Sequence, residues 1–333
     1  MDNHEPTREE IEESRKQWDE YYKRLAEYQR LTGQPLQAPI PPPYGGNPPA
    51  VPPKPSLFRR IWHVAWPPLL YLGIMYLVSF AAALLITVGL VLQESDLSDV
   101  SALTDKALET AYRYSSLMSI AAAAIGMAVL IPIYLKERRR TGENTVGADT
   151  ATVKLAALLL PCAVGMYIIL IYLVNFFFAF FPDVGNDYNE LMNDIIRGQT
   201  HLFALYSVLF APIIEEIVYR GFVQGRARRL LGPRHAIFIS AAVFGAAHLS
   251  FSAVTLVQAA YAAALGILLG WVYERRRNII VPIAMHMAFN ASNYLLRLLP
   301  EDIPDVFLLP VGLIVAFVFL FAFHHYSKER EPI

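Results

Sequence analysis

Long apolar runs are the feature that most constrains this chain. Beyond residue 60, about eight runs of roughly 20 mostly apolar residues follow one another, the length that a hydrocarbon core of about 30 Å requires. The chain is 55% hydrophobic and only 17% charged, and no strand pattern interrupts the runs. The sequence therefore predicts an all-α, polytopic membrane protein with about eight transmembrane helices. The runs lie at 66–92, 115–135, 153–181, 202–223, 236–250, 254–273, 279–298 and 306–325.

Basic residues are concentrated at alternate ends of these runs. Clusters at 136–140, 226–234 and 275–277 follow the second, fourth and sixth runs. If all eight runs cross the bilayer, the clusters lie on one side, and an excess of Lys and Arg marks the cytoplasmic side. We therefore expect an integral membrane protein with both termini in the cytoplasm, and a plasma-membrane location if the cell is bacterial.

Two segments precede the membrane region. Residues 1–34 predict a cytosolic amphipathic helix, with Thr7 and Glu10 placed as a capping box and Gly33 as the stop. Its apolar stripe is suited to a second copy, a membrane surface or the body of the protein. Residues 35–60 are rich in proline and predict an extended linker, or alternatively a ligand for a proline-binding domain. The remaining divisions are N-terminal transmembrane helices at 61–200, a catalytic core at 201–298, and a last transmembrane helix with its tail at 299–333.

Three charges interrupt the fourth apolar run. A charge near the centre of a membrane helix costs roughly 2.5–3.5 kcal/mol on insertion scales, so Glu215, Glu216 and Arg220 need a compensating reason. Glu216 and Arg220 are four residues apart and share a helical face, whereas adjacent glutamates point in different directions. We expect Glu216 to pair with Arg220, which leaves Glu215 for another neighbour.

Polar residues in two further runs complete a set suited to hydrolysis. The fifth run carries Phe244 and His248, and the seventh carries His286 and Asn290 one turn apart. A buried carboxylate is a suitable general base, so Glu215 is expected to activate a water that His248 helps to hold. His286 and Asn290 are expected to donate hydrogen bonds to the tetrahedral oxyanion. Glu216, Arg220 and Phe244 are expected to support the site.

Two other interpretations use the same residues. Glu215, His248 and His286 form a ligand set for a catalytic zinc ion, although the sequence lacks the His-Glu-x-x-His spacing. No cofactor is therefore favoured, and zinc is the alternative. From another class, a non-catalytic membrane protein would use the buried charges as an ion or proton path, or as a scaffold that binds peptides.

These motifs resemble a known family. Glu215-Glu216-x-x-x-Arg220, Phe244-x-x-x-His248 and His286-x-x-x-Asn290 are similar, in that order, to the three motifs of the CPBP intramembrane proteases, also called the Abi or CAAX-protease family. The resemblance covers about residues 200–295 and implies an eight-helix endopeptidase whose site opens toward the cytosol. It assigns water activation to Glu215 and His248, and oxyanion binding to the third motif.

The resemblance also implies the partners. It indicates a protein or peptide substrate, prenylated at a C-terminal CAAX sequence in the eukaryotic branch of the family, and a lipid bilayer. No nucleic acid partner is expected.

Overall fold

The chain is described here by a computed structural model covering residues 7–33, 36–41, 47–93, 100–141, 149–196, 200–249, 253–298 and 305–328. Within these ranges it is all-helical, with no strand. The helices are α1 Arg8–Thr32, α2 Leu57–Gln93, α3 Val100–Arg140, α4 Thr150–Phe180, α5 Pro182–Ile196, α6 Thr200–Leu205, α7 Ala211–Glu216, α8 Gly225–Leu231, α9 Pro233–Ala246, α10 Ala253–Arg276, α11 Ile280–Leu295 and α12 Asp305–Lys328. The predicted boundary at 34/35 lies outside the described residues, as do residues 299–304.

Six helices of the described chain are long and apolar enough to cross a membrane. The runs predicted at 236–250 and 279–298 form shorter helices, α9 with 14 residues and α11 with 16. The all-helical, membrane-embedded class is confirmed, while the count of eight crossings stays a prediction. The six candidate spans are Leu57–Gln93, Val100–Arg140, Thr150–Phe180, His201–Leu231, Thr255–Arg276 and Phe307–Ser327.

The helices pack in pairs around the chain segment 200–231, which we call the central helix. Helix α2 packs against α3, α9 against α10, and α4 against both α11 and α12. The central helix contributes Ile214, Val218, Phe222 and other fully buried side chains to the larger of the two apolar clusters in the bundle. Glu216 and Arg220, on the same helix, are likewise held inside packed protein rather than against lipid.

Close approach of α4 and α12 depends on a glycine. A Cβ at Gly165 would lie 2.6 Å from the carbonyl oxygen of Gly312 and 2.7 Å from the backbone nitrogen of Ala316. Backbone atoms cannot move aside as a flexible side chain can, so Gly165→Ala is expected to lower the free energy of unfolding by about 1–3 kcal/mol. Thermal unfolding in detergent measures this loss.

A matched control lies at Gly73 in α2, where a Cβ would meet nothing within 4 Å. Gly73→Ala is expected to be neutral or to stabilise by up to about 1 kcal/mol, because alanine is the better helix former. Equal stability of the two variants would show that α4 and α12 are not held as closely as described.

The caps predicted for α1 are confirmed. Thr7 accepts from the backbone N–H of Glu10, and the Glu10 carboxylate accepts from the backbone N–H of Thr7. Gly33 ends the helix in the left-handed conformation, with φ of 67°. Glycine adopts this conformation without the strain of a Cβ.

The proline-rich segment folds back along α1. Trp18, Tyr21 and Leu25 are buried and pack against Leu36 and Val51 of that segment. Polar contacts reinforce this packing. Tyr22 donates a hydrogen bond to the Pro39 carbonyl at 2.7 Å, and Gln29 donates one to the Leu36 carbonyl at 2.7 Å. Lys54 and Glu27 form an ion pair at 2.8 Å. We call residues 7–33, 36–41 and 47–55 the N-terminal unit. The linker is therefore part of a packed unit rather than a free spacer.

The N-terminal unit rests on the end of the bundle. Arg30 donates a hydrogen bond to the backbone carbonyl of Arg229 in α8 at 3.1 Å. A Cβ on Gly33 would lie 3.2 Å from the Thr141 side chain, just past the end of α3. The apolar stripe itself packs against the proline-rich segment, a partner that the sequence did not predict.

Candidate active site

The central helix changes its winding twice near the paired glutamates. Tyr206–Phe210 and Ile217–Gln224 are π-helical and flank α7. Pro212 follows the first π segment and has no N–H, so it cannot make the usual hydrogen bond to the carbonyl four residues earlier, and its ring crowds that carbonyl. A wider turn relieves this conflict, and such π turns are frequent at functional sites.

This winding explains a bond made by Asn290. The Ala211 N–H donates to the Tyr206 carbonyl instead of to the Ser207 carbonyl, as it would in an α-helix. Pro212 has no N–H to offer, so the Ser207 carbonyl lacks its usual partners, and Asn290 Nδ2 donates to it at 2.7 Å. An amide nitrogen carries two N–H groups, so this bond leaves one for another acceptor.

The predicted pair of Glu216 and Arg220 is confirmed. Nη1 of Arg220 lies 2.8 Å from Oε1 of Glu216, and both side chains are 0% exposed. Nη2 of Arg220 donates to the Gly266 carbonyl at 3.2 Å, and its guanidinium lies 4.7 Å from the centre of the Phe244 ring. The arginine charge is thus compensated by a carboxylate, a carbonyl and an aromatic face.

His286 lies between the two glutamates. Its Nδ1 is 3.0 Å from Oε1 of Glu216, and its Nε2 is 3.8 Å from Oε2 of Glu215. An ionised carboxylate only accepts hydrogen bonds, so Nδ1 carries a proton and Nε2 faces the Glu215 side. Glu215 keeps 15% of its side chain exposed, whereas Glu216 keeps none, so Glu215 is the accessible member of the pair.

His248 lies just past the end of α9, next to the Phe244 ring, which also contacts His286. Its Nδ1 is 2.8 Å from the Phe244 carbonyl oxygen, so Nδ1 is the donor and Nε2 keeps its lone pair. The Phe244 ring centre is 4.8 Å from that of His248 and 5.8 Å from that of His286. In the described part of the chain, no hydrogen bond or ion pair joins His248 to either glutamate. The structure therefore places His286, rather than His248, in direct contact with both carboxylates.

The zinc interpretation requires three ligands close together. Among the residues that the structure describes, no group of three or more His, Cys, Asp or Glu side chains is arranged to hold a metal ion. Glu215, His248 and His286 therefore do not form such a group.

Three tyrosines near Glu215 were not predicted from the sequence. Tyr71 and Tyr206 interact electrostatically with each other, and Tyr71, Tyr206 and Tyr219 all lie within electrostatic reach of Glu215. Tyr219 follows Glu215 by four residues, a spacing that places both on one helical face. Tyr71 comes from α2, and no local pattern connects it to the site.

An apolar pocket of about 420 Å³ lies beside these residues, between α2, the central helix and α9. Two residues of its wall, Tyr219 and Ala247, connect the pocket to the site. The Tyr219 ring lies 5.0 Å from the Phe244 ring between centres, and Ala247 directly precedes His248 in the chain. The rest of the wall is aliphatic and includes Pro68, Val223 and Val243.

Comparison with known proteins agrees with the motifs. Residues 197–292 match the family model described as type II CAAX prenyl endopeptidase Rce1-like. The resemblance to the CPBP/CAAX proteases is thereby confirmed for this segment, which contains every candidate residue from Glu215 to Asn290. No curated protein and no solved structure matches the chain. The match, together with the apolar helices, supports a protease that is an integral membrane protein.

Proposed function

We propose that this protein is an intramembrane endopeptidase that hydrolyses a peptide bond with a water activated by Glu215 and His248. The observation that carries the proposal is the position of His286, held through Nδ1 by buried Glu216 while Nε2 faces accessible Glu215. This arrangement lies within the segment that matches the CAAX endopeptidase model. Both imidazoles are fixed through Nδ1, which leaves each Nε2 for chemistry.

The charges of the site support this use of water. With His286 doubly protonated, Glu215, Glu216, Arg220 and His286 sum to zero. Glu215 takes a proton from the water as the oxygen attacks the substrate carbonyl carbon, and the carbonyl electrons move to its oxygen. The new oxyanion replaces the charge that Glu215 has lost, so the buried site never holds a net charge. Glu215 then gives the proton to the leaving amine as the C–N bond breaks.

Two donors from α11 are available for the oxyanion. The Nε2–H of doubly protonated His286 and the second N–H of Asn290 Nδ2 lie one turn apart on the same helical face. Hydrogen bonds hold both side chains in place, His286 through Glu216 and Asn290 through the Ser207 carbonyl. Donors that are already oriented need no reorganisation when the charge forms.

For the substrate, we propose a prenylated C-terminal CAAX sequence delivered at the cytoplasmic face. The family description names prenyl endopeptidases. The wall of the apolar pocket includes Ala247, which precedes His248, so the pocket offers a path for an isoprenyl chain next to the candidate water. In this arrangement both termini of the chain lie in the cytoplasm, as the basic clusters predict.

The proposal is tested with purified protein in lipid vesicles. The probe is an internally quenched peptide with a farnesylated CAAX cysteine, and its matched control is the same peptide without the farnesyl group. We expect cleavage of the farnesylated probe, unchanged by a chelator such as EDTA or phenanthroline, because the proposed mechanism uses Glu215 and His248 and no metal ion.

Each other outcome has a distinct meaning. Loss of cleavage in chelator, restored by added zinc, would contradict the metal-free mechanism while retaining the peptidase. Equal cleavage of both peptides would contradict the prenyl specificity. Binding of the farnesylated probe without cleavage would favour the peptide-binding scaffold.

A further inference from the structure

A line of polar side chains leads from the paired glutamates to the end of the central helix. Glu216, Arg220, Gln224 and Arg228 follow one another at intervals of four residues. Positions four apart drift around an α-helix, and the wider π turn at Ile217–Gln224 offsets this drift. Facing them on α10 are Gly266, Gly270 and Glu274, also four apart. We call these seven residues the polar seam.

Successive bonds join the two sides of the seam. Arg220 donates to the Gly266 carbonyl at 3.2 Å, and Gln224 Nε2 donates to the Gly270 carbonyl at 2.8 Å and to Oε1 of Glu274 at 3.1 Å. Oε2 of Glu274 accepts from Nε of Arg228 at 2.8 Å. Arg220 and Gln224 are fully buried, whereas the Arg228 side chain is 36% exposed, so the seam runs from the interior to solvent.

Three atoms of the seam are unusual. Nε of Arg220 is a buried donor, Oε2 of Glu216 and Oε1 of Gln224 are buried acceptors, and none of the three has a hydrogen-bond partner among the described residues. Buried polar atoms are nearly always paired, with protein or with ordered water. Glu216, Arg220 and Gln224 are successive residues one turn apart on the same helix. A water molecule that accepts from Nε of Arg220 has two donors for acceptors on either side of it.

We propose that Gln224 is a positioning residue for the catalytic cluster, acting on Arg220 through a shared buried water. Arg220 in turn fixes Glu216, and Glu216 holds Nδ1 of His286. The seam thus transmits the packing of α10 to the imidazole at the site. This inference rests on the proposed function for its effect on catalysis, but the geometric part stands independently of any substrate.

Two substitutions disturb the Gln224 side chain in different ways. Gln224→Met keeps the length of the side chain and removes its donor and acceptor. Gly270→Ala keeps every polar group of the seam but places a Cβ 2.8 Å from Oε1 of Gln224, which must then move. Leu159→Ala is the control, because it removes buried side-chain atoms from an apolar cluster that contains no seam residue.

The first readout needs no turnover. In protein labelled with ¹⁵N-histidine, the His286 resonance is identified by its loss in His286→Gln. We expect both seam variants to shift the His286 ring nitrogens, because they disturb the hydrogen bond between Nδ1 and Glu216, while Leu159→Ala leaves them unchanged. Unchanged His286 signals in both seam variants, or an equal shift in Leu159→Ala, would overturn the proposal.

The second readout is cleavage of the farnesylated probe. We expect kcat to fall about ten- to a hundredfold in both seam variants with little change in KM, as is typical when an outer residue orients a reacting group. If the normal protein does not cleave the probe, the proposed substrate is wrong, and the histidine spectra still decide the role of Gln224. In an experimental map that resolves ordered solvent, density is expected between Nε of Arg220 and Oε1 of Gln224. Absence of such density would contradict the proposal that Gln224 acts on Arg220 through a shared water.

Discussion

Glu215→Gln is expected to reduce kcat for the farnesylated probe by about 10²–10⁴-fold, the range that a positioned general base contributes. The amide keeps the size of the carboxylate but cannot take a proton from water. Because Glu215 is the accessible glutamate and Arg220 is paired with Glu216, the change should leave the fold intact. Initial rates at saturating probe measure the effect.

The matched control is Glu109→Gln, the same chemical change at an exposed position of α3. It is expected to leave kcat unaltered. A Glu215→Gln protein that folds and still cleaves the probe at the normal rate would remove Glu215 from the mechanism.

Arg220→Met is expected to lower the free energy of unfolding by about 3–5 kcal/mol, because it leaves the Glu216 carboxylate buried without its partner. In the double variant Glu216→Gln/Arg220→Met most of this loss should be recovered, since no charge is then left uncompensated. Thermal unfolding in detergent compares the single and double variants.

An exposed ion pair provides the control. Lys16 and Glu12 are 3.6 Å apart on α1, with side chains 77% and 72% exposed. Lys16→Met is expected to cost no more than about 1 kcal/mol. If Arg220→Met were equally mild, the pair at the site would be solvated rather than buried.

Local patterns predicted those parts of the structure that depend on neighbours in sequence. The Thr7 and Glu10 capping box, the Gly33 stop and the Glu216–Arg220 pair all join residues within a few positions of one another. Such contacts follow from helical spacing, so one sequence is enough to predict them.

The parts that were not predicted depend on contacts between distant segments. Nothing near Trp18 or Tyr21 indicates that the following prolines cover them. The Glu216–His286 contact joins residues 70 positions apart, and helical spacing does not say which glutamate His286 meets. Likewise the motifs name Phe244 without indicating that its ring contacts both histidines.

The π turns were missed for a different reason. Pro212 was visible in the sequence, but a proline in a helix can cause a kink, an end or a widened turn. Only the surrounding packing selects the widened turn. The widened turn leaves the Ser207 carbonyl without a helical partner, and Asn290 donates to it. The hydrogen bond that orients Asn290, a candidate oxyanion donor, therefore also depends on tertiary structure.

The contact between Arg30 and the Arg229 carbonyl gives the N-terminal unit a second role. The last carbonyls of any helix lack partners within it, and a basic side chain is a good substitute. Here that substitute comes from 199 positions earlier in the chain. The central helix, which carries Glu215, is thereby capped by the N-terminal unit, so release of that unit would leave the Arg229 carbonyl without this partner.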